Sequence, residues 1–358
     1  MKILGIETSC DETAASVVED GHKILSDIVV SQIDIHKAYG GVVPEVAARS
    51  HIEAIIPVVD KAVKNWDEID AIAVTHTPGL IGSLLIGVLT AKTLALVKNK
   101  PLYPVNHVQA HVYASFLDSA SILGKEPPAD QATDVLTVSE TNIIPQFPFL
   151  ALVVSGGHTQ IMLFRNHRNF EILGQTRDDA VGEAFDKIAK VLGLPYPGGP
   201  SISKSAKYGN AEKYHLPEPK MDNPLDFSFS GLKTALLRAV QADCGKDYTF
   251  PSNQLKTLLN DAQRHDFSAS FQKTACKVLT DKLLLAYEKY QPKSIVVAGG
   301  VAANEELRQQ INERLPIRAH FPEAKYCTDN AAMVACLGYY VAKNQPPTDP
   351  FKLEVLPS

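Results

Sequence analysis

Two stretches of the chain carry one pattern, and they decide the fold. Residues 2–20 read KILGIETSCDETAASVVED, and residues 150–166 read LALVVSGGHTQIMLFRN. In each stretch an apolar run, a turn of small and polar residues and a second apolar run follow one another, which is typical of a β-hairpin. A second pair shares the order strand, glycine loop and helix: residues 69–79 read IDAIAVTHTPG, and residues 292–304 read PKSIVVAGGVAAN. One α/β unit therefore occurs twice.

This duplication predicts an α/β protein of two lobes, each an RNase H-like domain, with a cleft between them. The arrangement resembles the actin, Hsp70 and sugar-kinase superfamily, whereas chance similarity of two α/β halves is the alternative. We expect residues 1–117 and 330–345 to form the first lobe and residues 149–329 the second. Residues 118–148, which contain several prolines, are expected to be an insertion or linker, and residues 346–358 an extended tail.

Apolar periodicity predicts helices between the strands. They are expected at residues 44–64, 80–97, 105–117, 180–193, 203–208, 231–242, 254–288 with a break near Asp266, 304–313 and 330–343.

Composition limits the possible functions. The 358 residues are 45% hydrophobic and 21% charged, which is typical of a globular protein of about two domains. A net charge of −5 argues against a basic nucleic-acid clamp, so an RNA partner would bind a local patch or need other subunits. The chain is expected to begin at its fold, without a leader, and to be cytoplasmic. The apolar run from Leu80 is interrupted by Lys92, which favours a buried helix over a membrane span. Five cysteines without a CxxC pair indicate a reducing compartment: Cys10, Cys244, Cys276, Cys327 and Cys336.

Two glycine loops follow apolar strands. In VSGGHT, residues 154–159, Gly156 and Gly157 allow a ligand close to the backbone and direct N–H groups at an anion. The alternative is a tight hairpin turn. In AGGVAAN, residues 298–304, Asn304 either caps the next helix or bonds a ribose or base. Neither loop has the spacing of a Rossmann or P-loop motif.

A histidine pair has the spacing of metal ligands. His107 and His111 are four residues apart, which places both imidazoles on one helix face. A helix-surface or capping pair is the ordinary alternative. No glutamate separates them, so the general base of an HExxH peptidase is missing. Asp329, in CTDNAAM, is the candidate third ligand, and its alternative role is a helix N-cap. Imidazole and carboxylate ligands suit Fe, Zn or Mn.

Acidic residues lie in two further motifs. Asp11 and Glu12 occupy the turn of the first hairpin, where one carboxylate is placed to take a proton from an attacking amine, or is simply solvated. Asp186 lies on an acidic helix, where it bonds ribose hydroxyls or only follows the acidic first turn favoured by the helix dipole. The loop YPGGP, residues 196–200, lines a base pocket or is a turn.

These segments together resemble the bacterial TsaD branch of the universal threonylcarbamoyl-transfer family. The resemblance covers nearly the whole chain, and its motifs occur in order: GIETSCDET, YGGVVPEVAARSH, THTPGLIGSLLIG, NHVQAH, VSGGHT, GEAFDKIAKVLGLPYPGGP, FSFSGLKTAL, AGGVAAN and CTDNAAM. The stretch at residues 118–147 is longer than the family usually has between its HxxxH helix and its VSGGHT strand.

The resemblance implies a function. Members move a threonylcarbamoyl group from threonylcarbamoyl-AMP to the N6 amine of adenosine 37, just 3′ of the anticodon, in tRNAs reading codons that begin with A. It implies one divalent metal ion per subunit, Fe²⁺ or Zn²⁺, and no membrane association. It implies two partners, a paralogous TsaB-like subunit and a small TsaE-like ATPase, with the intermediate supplied by a TsaC-like enzyme.

The resemblance also implies roles for individual residues. The metal ligands are His107, His111 and Asp329. The substrate-binding residues are Val154, Ser155, Gly156, Gly157, His158, Asp186, Gly199 and Asn304. Within this scheme we expect Glu12, ahead of Asp11, to accept the proton released by the attacking amine.

Three other functions stay open on the sequence. A small-molecule kinase of the same superfamily is the main alternative, although it would give the paired histidines no role. A metallopeptidase shares the HxxxH spacing but needs the missing glutamate. A non-catalytic scaffold, like some paralogues of the family, would lack the metal residues.

Overall fold

A computed structural model describes residues 1–117 and 144–356 of the chain. The chain divides into two compact units. Unit 1 comprises Met1–Gln32, Val43–Gln146 and Asp329–Ser358, and unit 2 comprises Ile33–Val42 and Phe147–Thr328. Most of the insertion expected at residues 118–148 lies outside the described residues.

The helices of the described residues alternate with strands along the chain. Their bounds are α1 Ile33–Lys37, α2 Pro44–Ala62, α3 Ile81–Val97, α4 His107–Tyr113, α5 Val181–Leu192, α6 Gly198–Ala206, α7 Ser230–Asp243, α8 Ser252–Leu255, α9 Asp261–Tyr290, α10 Glu305–Arg314 and α11 Ala331–Asn344. None of these helices combines the length and the apolar character that crossing a bilayer requires.

Unit 1 is built on a five-stranded sheet in the order β3-β2-β1-β4-β5. Strands β1, β2 and β3 pair antiparallel, whereas β4 and β5 join parallel to β1. The strands are β1 Lys2–Glu7, β2 Glu12–Glu19, β3 Lys23–Ser31, β4 Ala71–Thr77 and β5 Leu102–Asn106. The parallel connection from β4 to β5 runs through α3, as a crossover requires.

Unit 2 repeats this topology. Its sheet has the order β10-β9-β6-β7-β8, with β6, β7 and β8 antiparallel and β9 and β10 parallel to β6. The strands are β6 Phe149–Val154, β7 Thr159–Phe164, β8 Phe170–Gln175, β9 Ser294–Ala298 and β10 Ala319–His320. Because strand order, direction and connections all match between the units, the duplication read from the sequence is confirmed.

The pleat of β1 separates two faces of the first sheet. Leu4 and Ile6 point into the apolar core shared with α2 and α3. A Cβ added to Gly5 would lie 2.2 Å from the carbonyl oxygen of Ala331 at the start of α11, so this glycine faces α11. Glu7 follows Gly5 at the two-residue period of the same strand and belongs to that second face.

Two predictions of secondary structure were wrong. The helix expected at residues 105–117 begins only at His107, because the preceding residues join the sheet as β5, and it ends at Tyr113. The break expected near Asp266 lies instead at residues 256–260, between α8 and α9, and α9 runs through Asp266. The Asp266 carboxylate accepts the Asn210 N–H at 2.7 Å and pairs with Lys213, so its charge is satisfied without interrupting the helix.

The C-terminal segment packs on unit 1. The N–H of Thr348 donates to the carbonyl of Leu102 in β5 at 2.9 Å, and that of Leu356 donates to His76 in β4 at 3.0 Å. Leu353 is buried in the core of the unit. The tail turns once, where the Lys352 N–H donates to the Asp349 carbonyl at 2.9 Å, and hydrogen bonds and apolar contacts hold it along two strands.

Candidate functional site

The first candidate site lies where β5 ends and α4 begins, at the edge of the sheet. Asn106 caps α4, its side-chain oxygen accepting the N–H of Gln109 at 3.0 Å. The cap fixes the first turn, so His107 and His111 extend from one helix face with ring centroids 4.7 Å apart. Both imidazoles are buried.

Asp329 reaches this histidine pair because α11 lies tightly on β1. Gly5 permits the close approach, since any side chain there would collide with the backbone of the helix. Asn330 caps α11 by accepting the Met333 N–H at 2.9 Å, so Asp329 does not serve as the cap. The Asp329 carboxylate oxygen Oδ1 lies 3.2 Å from His111 Nε2 and 3.6 Å from His107 Nε2.

These three side chains fit a metal ion. One ligand atom from each of His107, His111 and Asp329 lies within 4.8 Å of the others. Neither ring nitrogen of His111 makes a hydrogen bond, although the side chain is only 1% exposed and Asp329 is in contact. Buried polar atoms are nearly always paired. Two imidazoles and a carboxylate whose ligand atoms converge in this way are arranged as metal ligands, and this donor set suits Fe, Zn or Mn.

Glu7 is a residue of this site that the sequence analysis missed. Its carboxylate is fully buried. Oε1 accepts the N–H of Ser9 at 2.6 Å, and Oε2 accepts the Thr75 hydroxyl at 2.6 Å and lies 3.1 Å from His107 Nδ1. An acidic residue at the end of a strand that is apolar after Lys2 was the available signal, because a buried charge requires partners.

Electrostatics couple Glu7 and His107. Burial by itself disfavours the charged imidazole, but the carboxylates of Asp329 and Glu7 outweigh it and raise the pKa of His107 to about 9. Burial likewise disfavours the Glu7 carboxylate, but the neighbouring His107 charge holds the pKa of Glu7 below its ordinary value.

Glu12 and Asp11 occupy the turn of the first hairpin in the same unit. Glu12 is half-buried, and its Oε1 accepts the Ser31 hydroxyl at 3.1 Å. Burial, then the charges of Asp329 and Asp11, raise the pKa of Glu12 well above its ordinary value. The carboxylate therefore lies within electrostatic reach of the metal ligands and holds a proton more tightly than a free glutamate.

His51 supports this turn from α2 and was also missed. Its Nε2 lies 3.1 Å from the carbonyl oxygen of Cys10, to which it donates, and its Nδ1 accepts the Thr13 hydroxyl at 2.8 Å. The ring is fully buried. It therefore ties both ends of the turn carrying Asp11 and Glu12 to one helix.

The second candidate site lies in unit 2, at the turn between β6 and β7. Ser155 and His158 close the turn, with the Ser155 N–H donating to the His158 carbonyl at 2.8 Å and the His158 N–H donating to Ser155 Oγ at 3.1 Å. A Cβ added at Gly156 or Gly157 would meet nothing within 4 Å. The turn is thus both a tight hairpin and a backbone surface open to a ligand.

Two glycines bring other elements against this turn. Gly182, in the first turn of α5, donates its N–H to Ser155 at 3.2 Å, and a Cβ there would lie 2.6 Å from that carbonyl oxygen. Gly299, after β9, has φ of +93°, and a Cβ there would lie 2.4 Å from the carbonyl oxygen of Val154. The start of α5 and the loop after β9 therefore border the turn, and only glycine fits at these contacts.

Asp186 and Gly199 lie on adjoining helices. Asp186, on α5, accepts the N–H of Gly198 at 2.6 Å and so holds the first turn of α6. A Cβ at Gly198 would lie 2.5 Å from Asp186 Cα, whereas one at Gly199 would meet nothing within 4 Å. Gly198 is needed for packing, and Gly199 faces open space.

Asn304 caps α10, which is one of the two roles that the sequence allowed. Its Oδ1 accepts the Leu307 N–H at 3.1 Å, and its Nδ2 donates to Ser203 and Gln272, both at 3.0 Å. Both amide hydrogens are thus used within the protein. Its Oδ1 also accepts the Cys276 thiol at 3.7 Å, so Asn304 links α10 to α6 and α9.

The chain matches a known family over most of its length. Residues 23–129 and 131–336 match the TsaD family, described as tRNA N6-adenosine threonylcarbamoyltransferase. A protein of that name from Symbiobacterium thermophilum is 47% identical over 95% of this chain and 91% of its own. Another from Dehalococcoides mccartyi is 46% identical over 100% of this chain and 98% of its own.

Solved structures share the fold at low identity. HypF from T. kodakarensis superposes with a TM-score of 0.56 and 13% identity, over 96% of this chain and 48% of that one. An activator of 2-hydroxyisocaproyl-CoA dehydratase from Clostridium difficile, solved with bound ADPNP, gives 0.50 and 12% over 96% of both chains. These likenesses concern the fold alone, and with the repeated sheets they confirm the expected α/β class of two RNase H-like units.

Proposed function

The chain belongs to the tRNA N6-adenosine threonylcarbamoyltransferase family, and we propose that it moves a threonylcarbamoyl group from threonylcarbamoyl-AMP to N6 of adenosine 37 in tRNAs reading codons that begin with A. It is thus a transferase that modifies tRNA. The single observation that carries the proposal is the convergence of His107, His111 and Asp329 in a chain that matches the family over most of its length.

The first unit is assigned one divalent metal ion, Fe²⁺ or Zn²⁺, held by His107, His111 and Asp329. Support comes from the converging donor atoms and the unbonded ring nitrogens of His111. When bound, such an ion acts as a Lewis acid that polarises acyl oxygens and stabilises the negative charge that develops on attack.

Protein groups supply the remaining steps. An exocyclic adenine amine is a weak nucleophile, so positioning of the base contributes much of the acceleration. Glu12 accepts the proton that the amine loses, with Asp11 as the second candidate. Burial and nearby carboxylates raise the pKa of Glu12, which makes its carboxylate a stronger base than a free glutamate. The base must leave the stack of the anticodon loop before it reacts.

The adenylate is assigned to unit 2. Within residues 154–158, Gly156 and Gly157 offer their backbone N–H groups beside open space, and Gly199 leaves similar room on α6. Asp186 and Asn304 support this surface by holding α6, and Asp186 remains the candidate for the ribose.

The partners are assigned to a TsaB-like paralogue, a TsaE-like ATPase and tRNA. An apolar stripe on α2 and α3 supports a protein partner, because large aliphatic side chains at helical spacing are unusual on a free surface. Its exposed members are Ile52, Ile56, Ile81, Leu85 and Leu89. The net charge of −5 also fits a chain that shares tRNA binding with other subunits. We place the protein in the cytoplasm, where tRNA is modified.

The other functions are less well supported. A sugar or acid kinase of this superfamily gives no role to the metal ligands, and the family match names a transferase instead. The metallopeptidase lacks a glutamate between His107 and His111. The scaffold does not need the complete set of three ligands.

Mass spectrometry of tRNA nucleosides, after incubation with threonylcarbamoyl-AMP and candidate partner subunits, tests the proposal. The wild-type chain should form threonylcarbamoyladenosine, and His107→Ala should reduce its formation by at least about a hundredfold. His22→Ala is the matched control, because His22 is exposed and follows the end of β2 opposite to Glu12. Full transfer by His107→Ala after metal removal would refute the metal role, and ATP-dependent phosphorylation of a small molecule would favour the kinase.

A further inference from the structure

Glu7 is a fully buried carboxylate whose hydrogen bonds all lie within the first unit. Oε1 accepts the backbone N–H of Ser9, and Oε2 contacts the Thr75 hydroxyl and His107 Nδ1. Burying a charge is costly unless hydrogen bonds compensate for it. Three donors around one carboxylate supply that compensation, and one of them is an imidazole of the metal cluster.

The direction of the bond to His107 follows from the chemistry of the acceptor. An ionised carboxylate can only accept hydrogen bonds. Nδ1 of His107 therefore carries the hydrogen, and it donates to Glu7 Oε2 at 3.1 Å. Ser9 Oγ lies 3.1 Å from the same nitrogen and is its second acceptor. With the hydrogen on Nδ1, the lone pair of the neutral ring is on Nε2.

Nε2 is also the nitrogen that faces the other ligands. It lies 3.6 Å from Asp329 Oδ1. Metal-bound histidines usually donate their other N–H to a carboxylate or carbonyl, which fixes both the tautomer and the ring orientation. We propose that Glu7 is the positioning residue of the metal centre, holding His107 in the Nδ1–H form with Nε2 directed at the metal.

Glutamine cannot reproduce this arrangement. Its amide has one accepting oxygen and one donating NH₂ group. Placed in the position of Glu7, the NH₂ group would face either the Ser9 N–H or the donors Thr75 and His107, and donor would meet donor on one side. This position therefore requires a carboxylate, both for its two accepting oxygens and for its charge.

This inference rests on the proposed metal centre, and affinity for Zn²⁺ tests it directly. The full-length chain is stripped of metal and titrated with Zn²⁺ against a chelator, and the unfolding of the metal-free form is measured in parallel. Glu7→Gln should bind Zn²⁺ about 10–100-fold more weakly. Thr75→Val is the matched control, because it removes another hydrogen bond to the same Oε2 and leaves His107 its acceptor; its affinity should stay within about threefold of wild type.

A purely structural Glu7 would give a different result. If its role were only structural, Glu7→Gln would lower the stability of the metal-free form and leave the Zn²⁺ affinity of the folded protein unchanged. That outcome overturns the inference, as does equal weakening by Thr75→Val. Should Glu7→Gln not fold, Glu7→Asp replaces it, since the shorter side chain withdraws the carboxylate from His107 and should weaken binding at least about tenfold.

The tautomer provides a second readout. In the Zn²⁺-loaded protein, ¹⁵N shifts of labelled His107 should show a protonated Nδ1, and a protonated Nε2 would overturn the inference.

The variants His107→Ala and His111→Ala distinguish a failure of the Glu7 role from a failure of the metal centre. If both bind Zn²⁺ as wild type does, the metal centre is wrong and Glu7 has no such role. If both lose Zn²⁺ and Glu7→Gln does not, only the role of Glu7 is wrong.

Discussion

Raising the pH is expected to tighten metal binding to the cluster of His107, His111 and Asp329. Burial opposes the charge on His107, but Asp329 and Glu7 outweigh it and raise its pKa to about 9 in the metal-free protein. Nε2 must lose its proton before it can bind a metal. The metal and a proton therefore compete for one nitrogen across the neutral range.

The size of the effect follows from that pKa. At pH 7 about 1% of His107 is neutral, and at pH 9 about half is, so the apparent association constant should rise about 50-fold between these values. Binding at pH 7 should release about one proton from this residue. Above pH 9 the dependence should level off.

Stability of the metal-free protein should change in the opposite direction. The folded pKa of His107 lies above the ordinary value of 6.5, so protonated His107 stabilises the fold below that value. This contribution is lost as the pH rises from 6.5 to about 9, with a ceiling of about 3 kcal/mol. The metal-free form should thus become easier to unfold with rising pH while the affinity for metal increases.

Chelator competition from pH 6.5 to 9.5 measures the affinity, and calorimetry in two buffers of different ionisation enthalpy measures the proton release. His107→Ala is the control for the metal-free protein, since it removes the group that titrates and should flatten the pH dependence of its stability over pH 7 to 9. An affinity that stays constant over that range in the wild type, with no proton released, would refute the electrostatic account of His107.

Four other predictions concern the rest of the molecule. Gly198→Ala should cost about 1–3 kcal/mol in urea unfolding, because its Cβ would meet Asp186 Cα. Gly199→Ala should stay within about 0.5 kcal/mol of wild type and instead raise the KM for threonylcarbamoyl-AMP; an unchanged KM would exclude an adenylate from that surface. Leu85→Glu should leave the monomer equally stable and weaken association with the TsaB-like subunit at least about tenfold in sedimentation, and undiminished association would remove α3 from the interface. Asn304→Ala should cost about 1–2 kcal/mol through the lost cap of α10, and unaltered stability with lost adenylate affinity would restore its role as a ligand contact.

Much of the fold was predictable because local patterns determine the elements. The apolar runs around SCDET and SGGH predicted two hairpins, which the structure has as β1-β2 and β6-β7. The errors arose where neighbours outside the local pattern decided. Residues 102–106 became β5 because β4 offered parallel partners, and α9 stayed whole because Asn210 and Lys213 satisfy Asp266. Apolar periodicity along the chain predicts neither effect, because both depend on residues outside the segment.

The sequence by itself determined the duplicated α/β pattern and the placement of two imidazoles on one helix face, because four-residue spacing fixes that face whatever lies around it. Only the tertiary structure decided which carboxylates surround them. Asp329 reaches the pair because Gly5 lets α11 lie directly on β1, and Glu7 meets His107 because the pleat of β1 directs it to the same face. Both contacts join residues far apart in sequence, and the packing of α11 and α4 against one sheet brings them together.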